Sequence, residues 1–484
     1  MRKMEFIMLD SMEKLTPALI DHLVTKHRLE AVPRIRHLRK YYEGQHAILK
    51  RTFKDASKPN NKIVNNFCRM ITDVTQGYFM GEPITYTSDD EKFLMHLEDL
   101  YNVNTEENQN SLLAKDASIF GVGYELLYMN EDADICMTTL PPEEVLMIYN
   151  TKVDRKPIGA IRHYIVKDYL DPTNDVEYVE VYTETHIMKY FAYSGGTLIP
   201  DGIEEHYFGV CPVIPYCNND EELGDFEGII AIQDAYNAAV SDQANDFEYT
   251  ADSYLVITGA QDTEDAEFLN MKQNRLILLP EEGEAKWLIK KTDNQTLESY
   301  KKRLTKDIHR FSNVPDINSD EFMSDISGVA LKYRWQAMEQ ACANKERLFK
   351  ESLYQRQKAI CNILSIKGLH FDFGDVKPHF KRNLPVNMNE VIQLVASLRG
   401  TLSQETLLAQ LPFLDSVQDE LDRIEEEQDD PYNDFGAGSE QNPVGDIDLP
   451  IEEETDEEEP QKGAWNQKSA TNYVANQQTG RGMK

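Results

Sequence analysis

The chain has 484 residues, a formal net charge of −34 and six cysteines, and 41% of its residues are hydrophobic. That apolar content suffices for two or three compact units with buried cores, while a mean hydropathy of −0.54 leaves much polar surface exposed. A chain this acidic is a poor candidate for tight binding of free DNA, which depends on Lys and Arg neutralising phosphates, yet it can still guide DNA without gripping it.

Part of the charge is local. Nineteen acidic residues and one basic residue, Arg423, lie between Asp419 and Pro460, and residues 1–418 stay strongly acidic without them. The cysteines show no CxxC pair and no histidine at ligand spacing, so reduced core or surface thiols are expected. No apolar run approaches membrane-spanning length, so no membrane association is expected and the chain belongs in the cytosol or in a particle assembled there.

Residues 12–50 have helical spacing, with Leu15, Leu19, Leu23 and Val24 before Pro33 and Ile35, Leu38, Tyr41 and Tyr42 after it. Arg34, Arg36, Arg39, Lys40, Lys50 and Arg51 make this the most basic stretch, and a solvated helix face is the ordinary expectation for it. IVNNFCRMITDVTQGYFMG and LMHLEDLYNVN read as helices around a short PITYT strand, with Gly81 and Pro83 marking the change.

From Gly123 to Pro215 the pattern turns to β. YELLYM, EVLMIY, AIRHYIV, VEYVEVYT, IMKYFAY and VIPY are β-branched or aromatic runs separated by turn residues, which predicts a mostly antiparallel α+β body. EGIIAIQDAYNAAVSDQANDFEY returns to helical spacing, with Ile229, Ile232, Tyr236, Ala239 or Val240, and Phe247 on one face. SYLVITG, RLILLP and AKWLIKK predict a small separate β unit over about 252–292.

The next helix, LESYKKRLTKDIHRF, is locally basic through Lys301, Lys302, Arg303, Lys306 and Arg310. Residues 313–327 then carry Asp316, Asp320, Glu321 and Asp325 with neither Lys nor Arg. A very long helix is expected over 329–364, followed by two strand-like pieces, LHFDF and KPHFKRNL. A helical hairpin follows at MNEVIQLVASLRGTLSQETLLAQLPFLDSVQDELDRI, with Gly400 suited to the break and Ser403 to the next N-cap. Beyond Glu425 the acids, Gly and Pro leave too little apolar content for a core, which predicts a disordered tail.

Signs of catalysis are few. IFGVGYELL holds only GxG and lacks the third glycine of a dinucleotide loop, and DPTNDVEYVE lacks the glycine and terminal glutamate of a calcium loop. The SGG at residues 194–196 is a hairpin turn, since GxSxG is absent. There is no HExxH and no Walker A sequence, so the chain reads as a non-enzyme with no catalytic residue, no metal and no cofactor.

YFMGEPITYT, DASIFGVGYELLYMN, LPPEEVLMIYN, PVIPYCNNDEELGDFEGIIAIQDAYNAAVSDQANDFEYTADSYLVITG and SGVALKYRWQAMEQACANKERLF occur in the order found in one family. Over roughly residues 35–425 the chain resembles the portal proteins of long-tailed double-stranded-DNA bacteriophages. The resemblance implies an α+β portal-type subunit: an N-terminal wing over 1–226, a stem helix over 227–250 and a small β-containing clip over 251–293. A second stem helix would span 294–312, a tunnel loop 313–327, a long helix with wing return strands 328–386, a helical crown 387–428 and the acidic tail 429–484.

Such subunits form a ring, typically of twelve, at one capsid vertex. Through its channel the terminase motor packages viral DNA, which is later ejected. The implied partners are further copies of the chain, the terminase large subunit, major capsid and scaffolding proteins, a head-completion or adaptor protein, and double-stranded DNA passing without sequence specificity. The implied location is the portal vertex of a virion assembled in the host cytoplasm.

By the same resemblance the tunnel loop would present Asn313, Asp316, Ser319, Asp320, Glu321, Phe322, Met323 and Asp325 to the channel. Lys301, Lys302, Arg303, Lys306 and Arg310 would be the basic residues of the stem, and Glu281, Glu282, Glu284 and Trp287 the clip interface. Repeated around a ring, the acidic loop would set a collar of like charge against phosphates spaced one per ~1.7 Å of duplex. Ring contacts are expected head to tail, the basic N-terminal face meeting the acidic body. The alternative is a non-portal phage structural or scaffolding protein whose acidic tail recruits basic partners, with a hydrolytic enzyme lacking recognised motifs a weaker third.

Overall fold

Thr16 accepts the amide of Leu19 at 3.3 Å and Pro17 supplies the first helical residue, so helix α1 (Pro17–Tyr42) starts on a side-chain cap. The helix continues through the exposed Pro33 without ending there. The computed structural model describes residues 6–55, 58–171, 174–193, 196–251, 254–258, 284–288, 294–317, 328–383 and 388–408, with isolated positions up to 424. The expected RLILLP strand, most of the acidic loop and the tail beyond Glu425 lie outside the described residues.

Two units are distinguished, residues 1–387 and 388–484. In the first, a two-residue strand β1 (Ile7–Met8) precedes α1, and α2 (Phe67–Met80) follows an extended stretch. Strand β2 (Thr85–Thr87), α3 (Glu91–Val103) and α4 (Glu106–Phe120) come next. The β region then supplies β3 (Val122–Met129), β4 (Ile135–Leu140), β5 (Val145–Tyr149), β6 (Pro157–Val166), β7 (Val176–Tyr182), β8 (His186–Tyr193), β9 (Ile199–Glu205) and β10 (Val213–Cys217).

These strands make a six-stranded sheet in the order β1-β5-β6-β7-β8-β9 and a three-stranded sheet in the order β10-β3-β4. Every pairing is antiparallel except β1 with β5. The period-two alternation of β5 sorts its side chains between two cores. Leu146 and Ile148 join Ile161, Val179 and Val181 against Leu15, Ile20, Leu23 and Val24 of the α1 region. Val145 and Met147 join Ala160 and Tyr182 on the other side, packed with Leu126, Leu140 and Val213 of the smaller sheet.

Helix α5 (Ile230–Ala251) follows a 3-10 turn at Glu227–Ile229 and leads into β11 (Tyr254–Thr258). Strand β12 (Glu284–Leu288) pairs antiparallel with β11 and is followed by α6 (Asn294–Ser312). Helix α7 (Gly328–Ile366) runs on the order of 60 Å at ~1.5 Å per residue. It buries Trp335, Met338, Cys342, Phe349, Leu353 and Ile360 in the largest core cluster, with Phe79, Leu127 and Tyr216.

One strand-like piece after α7 takes a different form. LHFDF makes no strand; Phe371 stacks on Phe93 with ring centroids 4.7 Å apart, so its aromatic content serves side-chain packing rather than a ladder. Only Lys377–His379 of the second piece is a strand, β13, paired with β2. In the second unit, α8 (Met388–Leu398) and α9 (Gln404–Leu408) flank Gly400 at φ +92°, and Ser403 Oγ accepts the amide of Thr406 at 3.3 Å.

Candidate functional site

The two helices α5 and α6, with the β11–β12 ladder between them in the chain, form a limb that carries the five expected basic residues and two of the four expected clip residues. Its root is held by charge. Arg34 of α1 grips Glu227 with both prongs of its guanidinium, Nε donating to Oε1 at 2.8 Å and Nη2 to Oε2, and also donates to the carbonyls of Phe120 and Glu222 at 3.2 and 3.0 Å. Asp225 accepts from Asn218 Nδ2 and Lys345 Nζ, both at 2.8 Å, and from Ser118 Oγ at 2.5 Å. One turn into α5, Asp234 accepts the Tyr41 hydroxyl. Helices α1, α4 and α7 therefore all fasten the start of the limb.

That fastening corrects the expected solvated basic face. Arg34 is buried, Arg39 pairs with Glu143 at 2.6 Å, and Arg51 pairs with Asp242 at 2.6 Å, while Arg36, Lys40 and Lys50 remain exposed. Half of the cluster is committed within the chain and is not available to a neighbouring acidic body. The physical reason is the acidic surplus of the body, which offers each of these arginines a carboxylate within reach.

Helix α6 divides its basic residues between two roles. Lys301 is mostly covered and ties the helix to α5, donating to Gln243 Oε1 at 2.7 Å beside its pair with Glu298 at 2.6 Å. Arg303 is exposed and pairs along its own helix with Asp307 at 2.7 Å. Lys302, Lys306 and Arg310 are exposed at four-residue spacing, one stripe with about 6 Å between successive side chains, and form no ion pair among the described residues. Ile308, on the opposite side, is fully buried with Ile35, Ile71 and Phe226.

The chain leaves α6 through Asn313 at φ +60°, a left-handed turn that an asparagine tolerates. Val314 is buried, and its carbonyl lies 3.1 Å from His309 Nδ1 while Asp316 Oδ1 lies 3.8 Å from His309 Nε2. The start of the expected loop is thus folded onto the end of α6. Ser319, Asp320, Glu321, Phe322, Met323 and Asp325 lie outside the described residues, as do Glu281 and Glu282. Glu284 and Trp287 are placed on β12 opposite Thr258 and Leu255.

Among the described residues no group of three His, Cys, Asp or Glu side chains is placed to hold a metal, and no helix is long and apolar enough to cross a membrane. The six cysteines are free, and burial pushes the thiols of Cys211 and Cys361 up to about 12 and that of Cys342 to about 11. Thiols held so far above neutrality are poor nucleophiles.

Residues 21–431 match the family described as phage portal protein, SPP1 Gp6-like. The chain belongs to this family of phage portal proteins. The portal protein of Bacillus phage SPP1 is 24% identical over 478 residues, covering 92% of each chain. That of Clostridium phage phiCD119 is 24% identical over 434 residues, covering 82% of this chain and 94% of its own. Among solved structures, a chain from the neck of an empty GTA particle, computed with C6 symmetry, superposes with a TM-score of 0.44 at 15% identity, covering 73% of this chain and 91% of that one.

Portal membership settles the class as phage head-to-tail connector and sets aside the non-portal alternative. What sequence reasoning missed in this portal chain is the root of the limb, Arg34, Asp225, Glu227 and Lys345. Two acids close before a helix are a usable signal, since carboxylates favour helix N-termini. Their partners lie far away in sequence and carry no local mark.

Proposed function

We propose that copies of this chain close into a ring whose axial channel conducts double-stranded DNA during packaging and ejection, with α5 and α6 as the stem and 313–327 as a loop into the channel. The reading takes 1–226 as wing, 251–293 as clip and 387–428 as crown, and it places the ring at the portal vertex of a virion. Partners are then the terminase large subunit, capsid and scaffolding proteins, and head-completion or adaptor proteins.

The observation that carries the reading is the stripe Lys302, Lys306 and Arg310, exposed without ion pairs among the described residues on a helix that passes directly into an acid-rich, base-free segment. A sparse row of cations attracts the phosphate backbone without regard to sequence, and the acids that follow oppose adhesion, so DNA meets few deep energy minima. Mass measurement of the purified chain over a range of salt tests the ring: a species of roughly a dozen subunits in equilibrium with monomer is expected. A strictly monomeric or dimeric chain at high concentration would remove the proposal.

A further inference from the structure

The extended segment 61–67 lies along α5 in a pairing of two different periods. The amide of Phe67 donates to Gln233 Oε1 at 3.1 Å, that of Asn65 to Asn237 Oδ1 at 2.9 Å, that of Ile63 to Ser241 Oγ at 3.0 Å and that of Asn61 to Asn245 Oδ1 at 2.7 Å. Every second residue of the segment thus meets every fourth residue of the helix. The repeats nearly coincide, since four helical residues rise about 6.0 Å and two extended residues span about 6.6 Å.

Three of the four rungs are dry, with Gln233, Asn237 and Ser241 all 0% exposed, while Asn245 is partly exposed. Gln233 Nε2 also donates to the carbonyl of Asn65 at 2.6 Å, so its amide serves the segment as a neighbouring strand would. Asn237 Nδ2 meets His46 Nδ1 at 2.8 Å, and His46 Nε2 meets the Tyr41 carbonyl at 2.9 Å. Arg51 closes the far end by joining Asp242 at 2.6 Å to the Asn61 carbonyl at 2.8 Å.

A helix that needed only to pack would carry apolar residues on this face. Buried polar rungs cost stability unless each is paired, and their return is directional. An apolar seam tolerates small sliding, whereas hydrogen bonds of this length are lost within about an ångström of displacement.

We propose that segment 61–67 is a register clamp for α5, fixing the axial position and rotation of the helix against the body so that axial motion proceeds by whole rungs. Neighbouring rungs are chemically alike: each offers an oxygen to a backbone amide. A slip of one rung, about 6 Å, pairs Asn65, Ile63 and Asn61 with Gln233, Asn237 and Ser241 and keeps three of the four amide bonds. That slip sets Ile230 against Tyr41 and Ala238 against Arg51 in place of Asp234 and Asp242, so the Tyr41–Asp234 and Arg51–Asp242 contacts hold the native rung. The inference rests on this geometry alone and stands apart from the assignment of α5 as a stem.

The test uses the full chain with spin labels carried by unnatural residues at Phe247, exposed near the distal end of α5, and Val103, exposed at the end of α3, diluted among unlabelled copies. The native chain should give one narrow distance distribution. Ser241→Ala with Asn245→Ala removes two rungs and should add a second population displaced by up to about 6 Å, while Ser241→Thr, which keeps the hydroxyl, should not. Residue-resolved hydrogen exchange on the native chain serves even where the double variant fails to fold. Amides 61, 63, 65 and 67 should exchange at least about tenfold more slowly than 62, 64 and 66. A single unshifted distribution in the double variant, or no alternation in the native chain, would overturn the clamp.

Discussion

Arg356 and Glu125 meet in the interior of the body, Nε donating to Oε2 at 2.9 Å, with side chains 0% and 1% exposed. The pair joins α7 to β3. Arg356 also donates to Glu106 Oε1 at 2.9 Å and Asn110 Oδ1 at 2.8 Å, so one guanidinium faces two carboxylates. The second negative charge is met by Tyr216, donating to Glu125 at 2.8 Å, and by Tyr86, donating to Glu106 at 2.5 Å.

Removing the cation from this cluster should be severe. Arg356→Met leaves two carboxylates buried together and is expected to cost roughly 3–5 kcal/mol, or to yield no soluble chain. Adding Glu106→Gln and Glu125→Gln should recover most of the loss. Denaturant midpoints of the variants decide it, and a triple variant no better than Arg356→Met would contradict this account.

Much of the body was legible because its signals are local. Six strand runs and the hydrophobic positions of α7 declare themselves by spacing, and Gly400 and Ser403 announce a break and a cap. IVNN was misread as the start of α2, because Val64 and Ile63 continue a helical pattern while the reason for their extension lies on α5, far along the chain. On α5 the spacing sets Phe247 on one face with Ile229, Ile232 and Tyr236, yet Phe247 is exposed and Gln233, Asn237 and Ser241 are buried. A polar stripe at four-residue spacing reads as a solvated face until its partner is known.

For the candidate site, the sequence could name the basic residues of α6 and could not divide them. Lys301 and Lys302 are adjacent and chemically identical, and only the position of Gln243 on the neighbouring helix makes the first a tie and leaves the second exposed.

That division predicts separable effects. Lys302→Gln, Lys306→Gln and Arg310→Gln together should leave assembly and melting temperature unchanged and lower the salt sensitivity of DNA passage, since three phosphate attractions per subunit are lost. Lys301→Gln should instead lower the melting temperature while leaving the salt dependence alone. Packaging rates across a salt series, set beside thermal melts, distinguish the two. Identical behaviour of both variants would contradict the assignment.

His27 Nδ1 and His163 Nε2 lie 2.8 Å apart in the core. Burial lowers both from the ordinary 6.5, His27 to about 4 with Arg28 adding to the effect, and His163 to about 3 with His27 and Arg28 adding to it. The unfolded chain therefore binds more protons, so the pair's contribution is complete above about pH 6.5 and is lost as pH falls towards 4. The loss should be on the order of 3 kcal/mol for each histidine. Asp116, raised to about 6 by burial, works in the opposite direction over the same range. Unfolding midpoints from about pH 7.5 to 4.5 should fall less steeply in His27→Phe with His163→Leu than in the native chain.

Gly121 ends α4 at φ +90°, and a Cβ there would collide with the carbonyl of Glu222. Because Arg34 holds both Phe120 and Glu222 by their carbonyls, the strand start cannot move aside without opening the root of the limb. Gly121→Ala should cost at least about 2 kcal/mol and lower the melting temperature by several degrees. Gly228→Ala, where a Cβ meets nothing within 4 Å, is the control and should be nearly silent.

The central claim is that copies of this chain form a ring with α6 lining its channel. Electron microscopy of the purified chain, at a resolution that traces helices, tests it most directly. A closed ring whose lumen is faced by Lys302, Lys306 and Arg310 is the predicted result. A ring with that stripe on its outer surface, or no ring under any condition of salt and concentration, would contradict the account.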